Sequence, residues 1–438
     1  MTALRRAAPC VTGRVRPPGD KSLSHRALLF AALSGESVRL TGLNPGEDVA
    51  STAGALAALG VRVQREGGAW TVIGRGGARA TESPFRKPGR SIDCGNSGTT
   101  MRLLAGVLAA CPFRSRLTGD TSLVRRPMSR VAVPLRRMGA KVEGVAGAGA
   151  EIMPPLCIQG GALRGGRFSL PVASAQVKSA ILLAAHGAEV AVDIVEPGAS
   201  RDHTERMMDA LGLPIRREKG RARLRAGGSL ASPSGRVPAD PSAGAFLAAA
   251  AAALPGSDLW LEGICLNPTR LGFYRVLSRM GARIDMVELR RWCGEPVGNL
   301  RVRAGTLHGV RIGGPAIPSL LDEIPVLAVL AAGACRGTTR ITGAGELRVK
   351  ESDRLAGLAE GLGRLGARVT ERPAGLIIEG GELHGGTVDS HGDHRLAMAF
   401  RVASLLARGR VRILGSSCIR VSDPGFDGRL RRVVRRAK

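Results

Sequence analysis

The chain has 438 residues, of which 44% are hydrophobic, 23% charged and only 3% aromatic. That balance belongs to a folded protein whose core is built from Ala, Leu, Val and Ile, packed closely through 61 glycines. The length exceeds one ordinary core, so two domains of about 200 residues each are expected.

A formal charge of +28 invites a nucleic-acid reading. The arginines, however, are scattered and often stand beside Glu or Asp, and no RNP-like aromatic motif, zinc knuckle or basic arm is present. The charge is read as solubility and steering of anionic small molecules, with no nucleic-acid partner. Eight widely spread cysteines without a C-x-x-C pair indicate neither a disulfide framework nor a zinc site. Arg5 and Arg6 are not followed by an apolar stretch, so no signal peptide is expected. The longest apolar run, residues 243–254, falls short of the roughly 20 residues of a membrane span. A cytoplasmic protein without a membrane partner is expected.

In chain order, the segment Pro17-Pro18-Gly19-Asp20-Lys21-Ser22-Leu23-Ser24-His25-Arg26 breaks any strand and leads into a helical run. Asp20 or Ser22 can cap that helix, and Lys21, Ser22 and Arg26 fall on its first turns, where free N–H groups and the helix dipole favour an anion. Nearly all basic residues are Arg, so the rare lysines in Gly/Ser contexts, Lys21, Lys178 and Lys350, point to a need for a compact ammonium.

A unit then recurs in which a helix ends in Leu-Gly or Met-Gly and an alternating strand follows, at Gly60, Gly139, Gly212, Gly281 and Gly366. Each glycine fits a left-handed helix C-cap. A spacing of roughly 70 to 85 residues suits a βαβαββ unit used several times. A sixth unit begins at Arg410-Val411-Arg412-Ile413 and stops after its helix at Lys438, without a closing strand. The basic cluster at 429–436 is read as a solvated amphipathic last helix. The expected architecture is α/β (α+β), two similar lobes of three βαβαββ units each. The first lobe would span residues 20–240, and the second residues 1–19 plus 241–438 with its last unit abbreviated.

Further Gly/Ser/basic helix starts follow. In Asp93-Cys94-Gly95-Asn96-Ser97-Gly98-Thr99-Thr100-Met101-Arg102, glycines let backbone N–H groups approach a ligand ahead of a helix over 103–110. Arg126 stands before Pro127 and is held out of the next helix, a position suited to bidentate anion binding. Ser174, Gln176 and Lys178 open an apolar helix. Arg201-Asp202-His203-Thr204 reads as either a cap network or a substrate contact.

The second half adds carboxylates. Asp322 and Glu323 open an apolar helix at Ile324-Pro325. Residues 347–354 pack five charges into a helix start with Lys350 and Arg354 at i,i+4, which taken alone reads as a salt-bridged surface helix. His391 and His394 lack further metal ligands at workable spacing, so the segment is read as an Arg395 anion contact oriented by His394. No Walker loop is present, and the G-x-G-x-x-G at residues 361–366 closes a helical run at Leu365-Gly366 instead of opening a helix after a strand, so neither cofactor nor metal is expected. Together the helix starts describe a cleft for more than one anion.

These motifs, in this order, closely resemble the 3-phosphoshikimate 1-carboxyvinyltransferase (EPSP synthase) family. The resemblance runs from Val11 to about Phe426 on Gly-Asp-Lys-Ser-Leu-Ser-His-Arg, Gly-Asn-Ser-Gly-Thr, Arg-Arg-Pro-Met, Ser-Ala-Gln-Val-Lys-Ser, Asp-Glu-Ile-Pro, Leu-Arg-Val-Lys-Glu-Ser-Asp-Arg and Asp-His-Arg. Their wording looks like the bacterial second class. The resemblance implies lobes that close on shikimate 3-phosphate and phosphoenolpyruvate. It implies that Lys21, Ser22, Arg26, Ser174, Gln176, Arg201, Asp322 and Lys350 contact shikimate 3-phosphate, and that Lys21, Gly98, Arg126, Gln176, Arg354 and Arg395 grip phosphoenolpyruvate. Asp322 would be the base on the 5-hydroxyl, while Glu351, Lys21 and Lys350 would serve protonation and phosphate departure. A monomer is expected, with glyphosate as inhibitor.

Two departures from the family pattern stand out. Arg420 occupies a loop where the family often carries a lysine, and glyphosate-insensitive members of the second class place alanine where this chain has Gly98. The missing methyl leads us to expect greater glyphosate sensitivity than the class suggests. A UDP-N-acetylglucosamine enolpyruvyl transferase resembles the chain less, because that family has Lys-Asn after the first glycine turn and a reactive loop cysteine. A basic RNA-binding or RNA-end-processing protein built on related repeats is the reading from a different class.

Overall fold

The computed structural model describes residues 9–74 and 84–436, so Arg5, Arg6 and Lys438 lie outside the described residues. The chain divides into two compact units: one comprises Gly19–Pro238 with Arg291–Glu295, and the other the chain up to Pro18, Ala239–Arg290 and the chain from Pro296 onward.

The first unit repeats one topology three times. In two of the three, two parallel strands joined through a helix are followed, after a second helix, by an antiparallel hairpin, and in all three the sheet order places the hairpin's last strand beside the parallel pair. In the middle repeat Ile92–Asp93 pairs in parallel with Arg114–Thr118, which pairs antiparallel with Ile152–Gln159 and through it with Lys141–Ala146. Gly166–Ser169, Val192–Val195, Arg221–Leu224 and Ile215–Glu218 do the same. In the first repeat the parallel partner of Ser37–Thr41 is Gly235–Arg236, from the far end of the segment. The strands form because alternate residues are apolar: in Ser37–Thr41 only Val38 and Leu40 are buried.

The second unit carries a parallel pair of Pro9–Val15 with Asp258–Cys265, extended by Glu295–Arg303 and Arg283–Trp292. A second sheet joins Arg311–Ile312, Thr338–Ile341, Gly375–Glu379 and Arg368–Arg372. The last repeat pairs His384–Asp389 with Arg408–Leu414 in parallel. Its end differs from the sequence expectation. A short strand, Val434–Arg436, follows the helix Phe426–Val433 and pairs antiparallel with Pro9–Val15. Three residues reading Val-Arg-Arg carry no strand signal, and pairing with the edge of Pro9–Val15 makes them one. The helix is not simply solvated either, because Phe426, Leu430 and Val433 are buried.

All five repeat glycines have positive φ, from 84° at Gly60 to 118° at Gly281. The helices that each repeat buries are apolar nearly all round, as a helix must be when no face meets water. Pro241–Ala253 is buried from Pro241 through Ala252, and it joins Ile324–Gly333 and His394–Leu406 in one continuous core. Among the described residues no helix is long and apolar enough to cross a membrane.

In the first unit the helix Gly98–Ala109 begins five residues before the sequence suggests, because the Ser97 hydroxyl accepts from the Thr100 N–H at 3.1 Å and offsets the poor propensity of Gly98 and Thr99. That helix meets Ala175–Gly187 backbone to backbone. A Cβ on Gly106 would lie 2.2 Å from the Ala180 carbonyl oxygen. Gly106→Ala is expected to lower unfolding stability by roughly 1–3 kcal/mol through overpacking; an unchanged melting temperature would show that the two helices can separate freely.

Candidate active site

The first unit gathers three helix starts. Asp20, not Ser22, caps Lys21–Leu33: its Oδ1 accepts from the Leu23 N–H at 2.8 Å. Among the described residues the Ser22 hydroxyl makes no hydrogen bond, and it stays half-buried at the helix mouth. The Lys21 ammonium is 2.8 Å from the Asp48 carboxylate. The Asp48 carbonyl accepts in turn from the Thr100 hydroxyl at 3.3 Å, which ties Lys21 to the start of Gly98–Ala109. His25, one turn on, is buried, and burial pushes its pKa down to about 3, so the ring is neutral and serves the Thr52 hydroxyl at 2.6 Å.

Gly98, Arg126 and Gln176 are brought together by a residue the sequence reading left without a role, Arg102. Its Nη1 donates to the Gln176 Oε1 at 3.0 Å and to the Gly98 carbonyl at 3.4 Å. Gln176 donates to the Thr99 hydroxyl at 2.9 Å. A Cβ on Gly98 would lie 2.7 Å from the Arg102 Nη1 and 3.5 Å from the Arg126 Nη1. Arg126 is extended, with φ −91° and ψ 132°, as its position before Pro127 requires. Its Nη2 donates to the Asn96 Oδ1 at 2.7 Å, and Asn96 is oriented by donating to Asp120 at 2.6 Å.

Arg26 is buried and faces neutral partners, donating to Thr204 at 2.7 Å, Ser179 at 2.8 Å and the Ser22 carbonyl at 3.0 Å. Burial pushes its pKa down to about 10 against the pull of Glu205, and the nearby charge of half-buried Arg201 adds to the lowering. In the segment after Arg201 the Asp202 carboxylate pairs with Arg206 at 2.9 Å without capping its helix, and the Thr204 hydroxyl accepts from Arg26. Ser174 caps its helix through the Val177 N–H at 3.4 Å.

Lys178 corrects the expectation of a poised ammonium. It is 5% exposed and lies 2.7 Å from Glu196 and 2.8 Å from Glu205. Burial disfavours its charge, but the two carboxylates more than offset that and raise its pKa above the usual lysine value. A Lys four residues into an apolar helix gives no sequence sign of carboxylates that arrive from later segments.

In the second unit everything converges on Arg354. It is not on a salt-bridged surface helix: its side chain is 2% exposed. The helix starts at Arg354 itself, capped by Asp353, while Gly345–Val349 is a 3-10 turn, so Lys350 and Arg354 do not share a helix face. Arg354 donates to Asp393 at 2.7 Å and to Glu351 at 2.6 Å, and its Nη1 stands 3.6 Å from Asp322. Burial alone would lower its pKa, but Asp393, Glu351 and Asp322 together hold it above the usual arginine range. Among the described residues Nη1 is nonetheless buried without a hydrogen-bond acceptor.

Arg395 repeats the pattern. Its Nη1 is buried without an acceptor, 4.0 Å from Glu323, and its guanidinium lies 5.9 Å from the Phe246 ring centroid. Asp393 caps the His394–Leu406 helix, accepting from the Arg395 N–H at 2.7 Å while holding Arg354. His391 is instead 3.3 Å from Glu360. Lys350 lies 3.2 Å from Glu346, and Arg420 is exposed. Buried donors without acceptors are costly, and they are the feature a carboxylate or phosphate would satisfy.

The whole fold matches a known class. Over 98% of this chain and 99% of the other, the enolpyruvyl transferase NikO from Streptomyces tendae superposes with a TM-score of 0.73 at 18% identity, which defines an enolpyruvyl-transferase fold. The family model described as EPSP synthase (3-phosphoshikimate 1-carboxyvinyltransferase) matches residues 6–430. A 3-phosphoshikimate 1-carboxyvinyltransferase from Acidithiobacillus ferrooxidans is 49% identical over 419 residues, covering 95% of this chain and 94% of the relative. One from Xanthomonas campestris pv. campestris is 47% identical, covering 95% and 93%. The structure of EPSP synthase from Acinetobacter baumannii is 39% identical, with a TM-score of 0.86 and 98% coverage of each chain. This chain belongs to the EPSP synthase family.

Proposed function

We propose that the protein transfers the enolpyruvyl group of phosphoenolpyruvate to the 5-hydroxyl of shikimate 3-phosphate, releasing phosphate, as a step towards chorismate and the aromatic amino acids. The observation that carries this is the pair of buried guanidinium nitrogens, on Arg354 and Arg395, that lack acceptors beside the Asp322-Glu323 turn. They suit the phosphoenolpyruvate carboxylate.

The reaction needs a base, a proton donor and cations for phosphate. Asp322 takes the hydroxyl proton as oxygen attacks C2 of phosphoenolpyruvate, and C3 receives a proton. The C2–phosphate bond then breaks, and loss of a C3 proton restores the double bond. Asp322 lies at the open end of the Ile324–Gly333 helix and beside Arg354, with 21% of its side chain exposed, so substrate can reach it. Glu351, Lys21 and Lys350 serve the C3 proton and the leaving phosphate. Lys21, Ser22, Arg26, Ser174, Gln176, Arg201, Asp322 and Lys350 are assigned to shikimate 3-phosphate, and Lys21, Gly98, Arg126, Gln176, Arg354 and Arg395 to phosphoenolpyruvate. The proposal takes the enzyme as a cytoplasmic monomer.

Phosphate release should require both substrates, and Asp322→Ala should lower kcat by about 10²–10⁴-fold with smaller changes in either KM. Release from a folded wild type with one substrate alone, or full activity in the variant, would contradict the assignment. Glyphosate is proposed as an inhibitor at the phosphoenolpyruvate position. A methyl on Gly98 would crowd the Arg102 Nη1 and reach van der Waals contact with the Arg126 Nη1, so Gly98→Ala should raise the inhibitory concentration by about 10-fold or more while the KM for phosphoenolpyruvate moves less. Unchanged inhibition would refute this.

A further inference from the structure

Beneath the Ser174 helix start lies a set of buried charges with no part in the chemistry above. Glu196 is the residue just past the strand Val192–Val195, and its N–H is held by the Gly220 carbonyl at 2.8 Å. Its side chain is fully buried. One carboxylate oxygen accepts from the Ser174 backbone N–H at 2.8 Å. The other accepts from the Lys178 ammonium at 2.7 Å and the Ser200 hydroxyl at 2.8 Å. The end of a parallel strand in an α/β sheet is where ligand-binding loops arise.

We infer that Glu196 is a positioning residue for shikimate 3-phosphate, fixing the two loops that present Ser174 and Gln176 on one side and Arg201 on the other. The inference rests on the assignment of those three residues to that substrate.

Physical reasoning favours positioning over simple stabilisation. A buried ion pair seldom outdoes well-packed apolar residues of the same volume, because both charges lose their water. What Glu196 supplies that an apolar side chain cannot is a rigid three-way clamp. It spans the last residue before one helix, a lysine on that helix and Ser200 next to Arg201. Lys178 lies between the carboxylates of Glu196 and Glu205, and the substrate-assigned Arg26 reaches the same helix through Ser179. Burial raises the Glu205 pKa, with Lys178 opposing.

Glu196→Gln keeps the volume and one acceptor but loses the charge that holds Lys178. The expected result is a KM for shikimate 3-phosphate raised about tenfold or more, with kcat within about threefold and the KM for phosphoenolpyruvate unchanged; calorimetric binding of shikimate 3-phosphate alone should weaken by the same factor. A second variant, Lys178→Met with Glu196→Leu, removes both charges together. A purely stabilising role predicts that this pair restores affinity along with the melting temperature, whereas positioning predicts a restored melting temperature with affinity still low. If Glu196→Gln does not fold, Ser200→Ala cuts one tether only and should raise that KM about threefold. Wild-type affinity in any of these folded variants overturns the inference. Failure of the wild type itself to bind shikimate 3-phosphate overturns the substrate assignment, and this inference with it.

Discussion

The second unit depends on one buried guanidinium. Arg354 is held by Asp393 and Glu351 and faces Asp322, three carboxylates from three separate stretches of chain. A fully buried cation is tolerable only when so paired. The same pairing fixes Asp393 as the cap of His394–Leu406 and the Asp322 turn at the head of Ile324–Gly333. The protein thus uses the charge it must neutralise to register two core helices and a loop. Nη1 remains as a preset donor, and ordering it costs nothing further when a carboxylate arrives.

The first unit solves a similar problem differently. Its cations Lys178 and Arg26 are matched by Glu196 and Glu205 and closed by the hydroxyls of Ser179, Ser200 and Thr204. Arg102 locks Gln176 to the Gly98 turn, and Asp120 locks Asn96 onto Arg126. Side chains that would meet a ligand are therefore held by partners that would not, which is the arrangement that keeps a site within the small tolerances chemistry needs.

Much of the fold was legible because it repeats. The Leu-Gly and Met-Gly stops each demand positive φ, and five of them at similar spacing announce a repeated unit. Elements defined by one partner were not legible. Val434–Arg436 is a strand only because Pro9–Val15 offers an edge, and Gly98–Ala109 starts early only because Ser97 caps it. In the site, motifs rich in Gly, Ser and Arg marked the anion-facing turns. The carboxylates that decide the fate of each cation lie far along the chain. Nothing local distinguishes Lys178, sealed by Glu196 and Glu205, from Lys21, which Asp48 holds at a half-open helix mouth. Arg354 looked like a surface charge for the same reason.

The account stands or falls on the Arg354 donor. Calorimetric titration of phosphoenolpyruvate alone into the protein, where no turnover competes with binding, for wild type and for Arg354→Lys, measures it directly. A lysine keeps the charge but not the fork of N–H groups, so the dissociation constant should rise at least about tenfold, the scale of one charge-assisted hydrogen bond. Equal affinity in a folded variant would mean that the carboxylate is bound elsewhere.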